Sequence, residues 1–126
     1  MKLDLNRILK LYPLLKILHY QTKEGFHHEK YDEAFDGLGE LADKFIETYM
    51  GLNGRDWIAG SLPMPKLVEP NTRNCVARYR MDIIDDLIPY LYQMARGHKA
   101  LNKLAEDFDE AAHGILGLLE NFSNGQ

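Results

Sequence analysis

The chain has 126 residues, of which 45% are hydrophobic, and such a composition can bury one core of ordinary domain size. Its formal net charge is −4 and its fifteen lysines and arginines are scattered, so we expect no DNA binding. The single cysteine, Cys75, excludes an intrachain disulfide, and no run approaches the ~20 apolar residues that cross a bilayer. We therefore expect one cytoplasmic domain over residues 1–126, with no membrane partner and with Cys75 buried as a small apolar residue.

The first predicted helix covers residues 3–23, where apolar residues recur every three to five positions. Pro13 removes one intrahelical hydrogen bond and predicts a kink, and Gly25 predicts the end of the helix. The apolar face consists of Leu3, Ile8, Leu11, Leu15 and Leu18.

A second helix is predicted over residues 27–50, where apolar residues alternate at steps of one, three and four. This spacing is typical of a stripe that faces a core. The stripe consists of Tyr31, Ala34, Phe35, Leu38, Ala42, Phe45 and Tyr49. Residues 51–74 are rich in proline and glycine and predict a long loop that includes one short helical turn.

Two further helices are predicted after this loop. The first covers residues 74–96 and contains Pro89, and Gly97 separates it from the second, over residues 99–122. Four helices of about twenty residues with a long central connection predict an all-α four-helix bundle. The apolar residues of the last two helices are Val76, Tyr79, Ile83, Leu87, Tyr90 and Met94, followed by Leu101, Leu104, Phe108, Ala112, Ile115 and Leu119.

Four polar residues of the second helix share one flank beside its apolar stripe. At ~100° per residue, Asp32, Asp43 and Glu47 all fall within about 100° of His28. Imidazole nitrogen and carboxylate oxygen suit iron, zinc or manganese, and a spacing of four residues lets each pair contact one ion. We interpret His27, which neighbours His28, as a solvent-facing bystander.

The pairs His28 with Asp32 and Asp43 with Glu47 are two half-sites that one chain cannot join. Asp32 and Asp43 are eleven residues apart, which is about 16 Å along a helix axis. If two copies of the helix cross antiparallel about a two-fold axis, residue 28 meets residue 47 and residue 32 meets residue 43.

Two other residues complete this predicted shared site. Gly39 lies next to the expected crossing point, where a missing side chain would let the two helices approach closely. His19, near the end of the first helix, would add a third ligand from the chain that supplies His28.

Several residues of the first two helices resemble the ferroxidase signature of the Dps proteins, the mini-ferritins named for DNA-binding proteins from starved cells. In that family the first helix ends in His-Trp, and the second carries His-x3-Asp and, after ten residues, Asp-x3-Glu. The resemblance is strong over residues 14–50. The matching residues are His19, Tyr20, Phe26, His28, Asp32, Asp43 and Glu47.

This resemblance implies a ferritin-like bundle, a homo-oligomer built from two-fold dimers and reaching a dodecamer, and the oxidation and storage of iron. It also implies that one subunit contributes His19, His28 and Asp32 as iron ligands and that its mate contributes Asp43 and Glu47. The chain differs from the family pattern in four ways, the first of which is its short overall length. In addition, Tyr20 stands where tryptophan is usual, the interval between the two histidines is three residues shorter, and no basic N-terminal tail is present.

Other interpretations stay open. The motif E-x-x-H of intrachain di-iron ferritins occurs at Glu24 to His27 and at Glu110 to His113, although His113 is more simply a core or interface histidine. The acidic residues 106–110 predict a solvated helix face or, in a ferritin-like shell, the lining of an ion-entry pore. The alternative function is that of a ferritin-like helical interaction module without ferroxidase activity.

Overall fold

The computed structural model describes residues 2–61, 65–66 and 71–122. Two short strands, β1 (Leu3–Asp4) and β2 (Trp57–Ile58), pair in parallel, with Leu3 opposite Trp57. The rest of the regular structure is helical, so the predicted all-α class is confirmed. The helices are α1 (Leu5–Leu9), α2 (Leu11–Gln21), α3 (Gly25–Asn53), α4 (Thr72–Tyr79), a π-helix (Arg80–Leu87), α5 (Ile88–Ala95) and α6 (Lys99–Asn121).

The first predicted helix is two helices in the structure. The helix is interrupted at Lys10, between α1 and α2, and Pro13 therefore lies in the first turn of α2. At that position the missing N–H costs no intrahelical hydrogen bond, because the first N–H groups of any helix lack a partner within it. The predicted kink at Pro13 is thus replaced by a break three residues earlier.

The turn between α2 and α3 also differs from the prediction. Helix α2 ends at Gln21, and Gly25 begins α3 instead of ending the preceding helix. The Glu24 carboxylate caps α3 by accepting a hydrogen bond from the backbone N–H of His27 at 2.9 Å. The short connection holds the end of α2 close to the start of α3.

The helices form four arms around one cluster of buried apolar residues: α1 with α2, α3, the arm from α4 to α5, and α6. Near the start of α3, the Tyr31 ring lies 6.2 Å from the ring of Tyr79 in α4. Near the end of α3, Tyr49 lines a pocket together with Met94 from the end of α5. The arm from α4 to α5 therefore runs in the same direction as α3. The connection from the end of α3 to the start of α4 must then return along the length of α3.

A π-helical segment lies in the middle of the third arm, immediately before Pro89. The N–H of Ile88 bonds to the carbonyl of Ile83, five residues back, where an α-helix bonds four back. A proline ring clashes with the carbonyl four residues before it, and the wider π turn relieves that clash. The arm consequently continues through the proline from Thr72 to Ala95.

The predicted apolar stripes are confirmed, with helix boundaries that differ by at most three residues. In α3 every residue of the predicted stripe is buried except Phe35, which is half-buried. Cys75 is fully buried, as predicted. Among the described helices, none is long and apolar enough to cross a membrane.

The long connection after α3 is the region that the structure describes least. Its described part contains β2 and no helical turn, and residues 62–64 and 67–70 lie outside the described residues. The pairing of β2 with β1 ties this connection to the start of the chain, where the backbone N–H of Leu3 also bonds to the carbonyl of Asp56 at 3.3 Å.

Candidate metal-binding site

His19 and His28 lie against each other where α2 meets the start of α3. Their ring centroids are 3.6 Å apart and their planes differ by 21°. The Nδ1 atom of His19 lies 2.6 Å from the carbonyl oxygen of His28, and Nδ1 of His28 lies 2.7 Å from the carbonyl oxygen of His19. Because a carbonyl can only accept, each Nδ1 carries the hydrogen, and the lone pair of each neutral ring is on Nε2. The structure thus brings the two histidines together, and Nε2 is the atom that each can offer to a metal ion.

The stacking restricts how these two rings can bind a metal ion. Imidazole binds through the lone pair in its ring plane, at about 2.0–2.1 Å for zinc. The two ring planes differ by 21° and the ring centroids are 3.6 Å apart, so the planes intersect much farther from the rings than a metal–nitrogen bond length. One ion therefore cannot bind both rings in their present orientation. Each ring offers its lone pair to a separate ion, or one ring must rotate and lose its Nδ1 hydrogen bond.

Asp32 lies beside the histidine pair in an open surface depression, which Glu29 and Glu33 also line. Its Oδ1 atom lies 3.0 Å from Nζ of Lys16, in a pair whose two side chains are partly exposed. This hydrogen bond holds the pKa of Asp32 below its ordinary value and raises the pKa of Lys16. The carboxylate is therefore ionised at neutral pH, but one of its oxygens is already bonded to a cation of the protein.

Asp43 and Glu47 are exposed on the same helix, away from the histidines. Because α3 is unbroken, Asp43 stays about 16 Å from Asp32 along the axis, as the sequence predicts. Within the described part of one chain, no three His, Cys, Asp or Glu side chains form a group that could hold a metal ion. The five predicted ligands thus fall into a set of three and a set of two, and one chain closes neither set around an ion.

Gly39 does not have the role that the sequence predicts. The Tyr12 side chain, from α2, lies over it and donates a hydrogen bond to its carbonyl oxygen at 2.8 Å. A Cβ atom at Gly39 would lie 2.8 Å from Cε1 of Tyr12. The close approach at this glycine is therefore between α2 and α3 of one chain, and its assignment to a two-fold crossing is wrong. Burial raises the pKa of Tyr12, and the negative charge of Asp43 raises it further.

His27 is fully buried, so its interpretation as a solvent-facing residue is wrong. It precedes His28 by one residue and lies about 100° back around the helix, which is inside the apolar stripe. Burial lowers the pKa of His27, while Glu24 and the backbone carbonyls of Leu119 and Phe122 in part oppose that change. His27 is neutral at pH 7 and packs the start of α3 against the end of α6.

The two E-x-x-H matches have other contacts in the structure. Glu24 caps α3 through the backbone of His27. His113 has a side chain that is 54% exposed, so it is not a core histidine, and the alternative of an interface histidine stays a prediction. Its Nδ1 lies 2.7 Å from Oδ1 of Asp109. The other oxygen of Asp109 accepts a hydrogen bond from the Tyr92 hydroxyl at 2.8 Å. His113 is therefore oriented by Asp109, and Glu110 is exposed to solvent.

The acidic residues 106–110 are largely a solvated helix face, as predicted. Asp107 pairs with Lys103 at 2.6 Å, and Glu106 accepts a hydrogen bond from the side chain of Asn102 at 3.1 Å. Both contacts span one turn of α6, and the pore lining in a shell stays a prediction.

Lys16, which occupies one oxygen of Asp32, is a residue of this site that the sequence pattern did not identify. The lysine precedes His19 by three residues, and residues at this spacing share one face of a helix. That spacing places a positive charge beside His19, but it does not identify Asp32 of the next helix as its partner.

Comparison with known proteins gives a short match. Over 39 residues, 31% of this chain, the sequence is 44% identical to an uncharacterised 14.6 kDa protein from the mobD–ri intergenic region of Enterobacteria phage T4. The match covers 30% of the length of that protein. No family model matches the chain, and no solved structure matches it. A match of this extent is a local similarity and assigns neither a fold nor an activity.

Proposed function

We propose that this chain is a ferritin-like ferroxidase of the Dps type, which binds Fe(II) at a site shared by two copies, oxidises it and retains the ferric product. The observation that carries the proposal is the pair of His19 and His28, whose Nε2 lone pairs are set by the reciprocal Nδ1 bonds, beside the ionised carboxylate of Asp32. Imidazole nitrogen together with carboxylate oxygen is a ligand set that suits iron.

The course of the chain supports a ferritin-like arrangement. Ferritin-like bundles have one long crossover connection between their helices. Here the connection after α3 joins two arms that run in the same direction. The ring contact of Tyr31 with Tyr79 and the pocket that Tyr49 and Met94 both line indicate this direction. A short hairpin connection would instead have placed those arms antiparallel.

A second copy of the chain would supply the ligands that one chain lacks. Antiparallel crossing of two α3 helices pairs His28 with Glu47 and Asp32 with Asp43, and both acids of the second half-site are exposed. The contact with Tyr12 explains why residue 39 is a glycine, so Gly39 no longer supports the two-fold crossing. The proposed crossing is therefore supported only by the spacing of these four residues. The oligomer is then built from two-fold dimers, with a dodecameric shell as the expected assembly.

The proposed reaction balances with peroxide as the oxidant. Each Fe(II) loses one electron, and hydrogen peroxide accepts two electrons and two protons to give two waters, so two Fe(II) react per peroxide. Carboxylate oxygens favour the harder Fe(III) product, which then leaves for the mineral. Removing Fe(II) and peroxide together limits hydroxyl-radical formation and so protects against oxidative damage; molecular oxygen is the alternative oxidant.

Anaerobic titration with Fe(II), followed by peroxide and monitored by ferric absorbance, tests the proposal. Asp32→Ala and Glu47→Ala should each abolish fast oxidation and leave the helix content unchanged, because both side chains are at least partly exposed. Asp36→Ala is the matched control, since Asp36 is an exposed acid of the same helix that is assigned no role. Fast oxidation that survives in both ligand variants would end the proposal.

The second candidate is a helical interaction module, and two observations favour it. Among the described residues of one chain, no three His, Cys, Asp or Glu side chains form a group that could hold a metal ion, and the bonds between His19 and His28 fasten α2 to α3 without any ion. This candidate predicts that Fe(II) binding does not saturate at a fixed stoichiometry and that Asp32→Ala oxidises iron at the same rate as the unmodified chain.

A further inference from the structure

Lys16 holds one of the carboxylate oxygens that the proposed site needs. Its Nζ lies 3.0 Å from Oδ1 of Asp32 and 4.5 Å from the centroid of the Phe35 ring. The ammonium group is thus held by a carboxylate and by an aromatic face, and the carboxylate, that of Asp32, lines the same depression as His19 and His28.

We propose that Lys16 is a placeholder cation, which neutralises Asp32 in the metal-free protein and is displaced when a divalent metal ion binds there. This inference rests on the proposed function of the same site. A divalent ion brings twice the charge of the ammonium group and can also form a coordinate bond with an imidazole nitrogen, to which a lysine can only donate a hydrogen bond.

The contacts of Lys16 are weak enough for such an exchange. The lysine and aspartate side chains are 39% and 49% exposed, and ion pairs of this exposure contribute little because water screens them. The flexible four-carbon stem of lysine allows the ammonium group to turn into water when it is displaced. Competition from Lys16 should therefore lower the affinity for a divalent ion by about two- to fivefold.

The lysine has a second consequence if two copies cross as proposed. Asp32 would then face Asp43 of the second copy, and opposed like charges weaken an interface. In the metal-free state Lys16 supplies positive charge at this contact, and in the metal-bound state the ion does so. Removing the charge of Lys16 should therefore strengthen metal binding and weaken the association of two metal-free chains. A general loss of structure would weaken both.

Lys30 offers a matched control on the neighbouring part of α3. Its Nζ lies 2.8 Å from Oε2 of Glu33 and 5.0 Å from the centroid of the Phe26 ring, so it also combines a carboxylate with an aromatic face. Lys30→Gln removes the same charge and the same kinds of contact without touching a proposed ligand. It frees Glu33, which lines the same depression, and so it also controls for a freed carboxylate other than Asp32. Any effect of net charge alone would appear in both variants.

The test is calorimetric titration with Zn²⁺, a probe that does not change oxidation state, in one buffer at physiological salt. Lys16→Gln should bind Zn²⁺ about two- to fivefold more tightly than the unmodified chain, and Lys30→Gln should match the unmodified chain. Lys16→Arg, which keeps the positive charge, should bind no more tightly. Sedimentation in EDTA is the second measurement, and Lys16→Gln should associate more weakly there.

The zinc affinities decide between the outcomes. If the unmodified chain binds Zn²⁺ and Lys16→Gln binds it equally or more weakly, the placeholder role is wrong and the ferroxidase proposal stands. If neither the unmodified chain nor Asp32→Ala binds Zn²⁺ or Fe(II), the proposed site is wrong, and the proposed role of Lys16 is wrong as well.

Discussion

Replacing Gly39 with alanine tests which contact this glycine serves. The new Cβ would lie 2.8 Å from Cε1 of Tyr12, closer than non-bonded carbon atoms approach, so the ring would have to move. The ring is held by the 2.8 Å hydrogen bond from its hydroxyl to the Gly39 carbonyl and by an edge contact with Phe35, at 5.6 Å between ring centroids. Moving the ring loses both contacts.

The expected change in stability is the sum of three contributions. Alanine inside a helix is favoured over glycine by about 1 kcal/mol. Overpacking against Tyr12 costs about 1–3 kcal/mol, and the lost hydrogen bond costs about 1 kcal/mol. Gly39→Ala should therefore lower the free energy of unfolding by about 1–3 kcal/mol. Gly37→Ala is the control, because nothing lies within 4 Å of a Cβ there, and it should raise stability by about 1 kcal/mol.

Urea unfolding followed by circular dichroism measures this difference. The expected order of stability is Gly37→Ala, then the unmodified chain, then Gly39→Ala. In a Tyr12→Ala background the clash is absent, so adding Gly39→Ala should stabilise that chain. A Gly39→Ala chain as stable as Gly37→Ala would refute the intrachain contact, and loss of self-association in that variant would restore Gly39 to the two-fold crossing.

Two other predictions concern buried polar groups. The Tyr31 hydroxyl is buried and has no hydrogen-bond partner among the described residues, so Tyr31→Phe should leave the free energy of unfolding unchanged or raise it by about 1 kcal/mol. Tyr79→Phe loses a 2.8 Å hydrogen bond to the Ala112 carbonyl and should lower the free energy of unfolding by about 1 kcal/mol. Urea midpoints in the reverse order would contradict these assignments. Burial lowers the pKa of His27, so the unfolded chain binds the proton first, and stability should fall as the pH drops through about 6.5, by at most about 1.4 kcal/mol per pH unit. His27→Gln should flatten the pH profile of the urea midpoint, and an unchanged profile would rule out His27 as its source.

The helices could be predicted because their signal is periodic and local. The stripes of α3 and α6 repeat often enough that each helix was located to within three residues. The break at Lys10 was missed because the effect of Pro13 depends on where the helix begins, and the apolar spacing of residues 3–23 does not specify that. The pairing of Leu3 with Trp57 joins distant residues in two-residue strands and leaves no periodic pattern.

The candidate site could be predicted only as far as single helices determine it. A helical wheel places His28 and Asp32 on one flank. It also places His27 among the apolar residues, a position that indicates burial and not exposure to solvent. The contacts of Lys16 with Asp32 and of Tyr12 with Gly39 depend on the axial alignment of α2 against α3. That alignment follows from the packing of the two helices and from the turn between them, which no wheel of one helix contains.

In the proposed site, His19, His28 and Asp32 come from one chain and Asp43 and Glu47 come from another. A mixture of His28→Ala and Glu47→Ala chains, each inactive alone, tests this most directly after co-refolding. Random pairing makes half of the dimers mixed, and each mixed dimer has one intact site of two, so the account predicts recovery of about a quarter of the unmodified activity. No recovery in a mixture that mass spectrometry shows to contain mixed dimers would contradict the shared site.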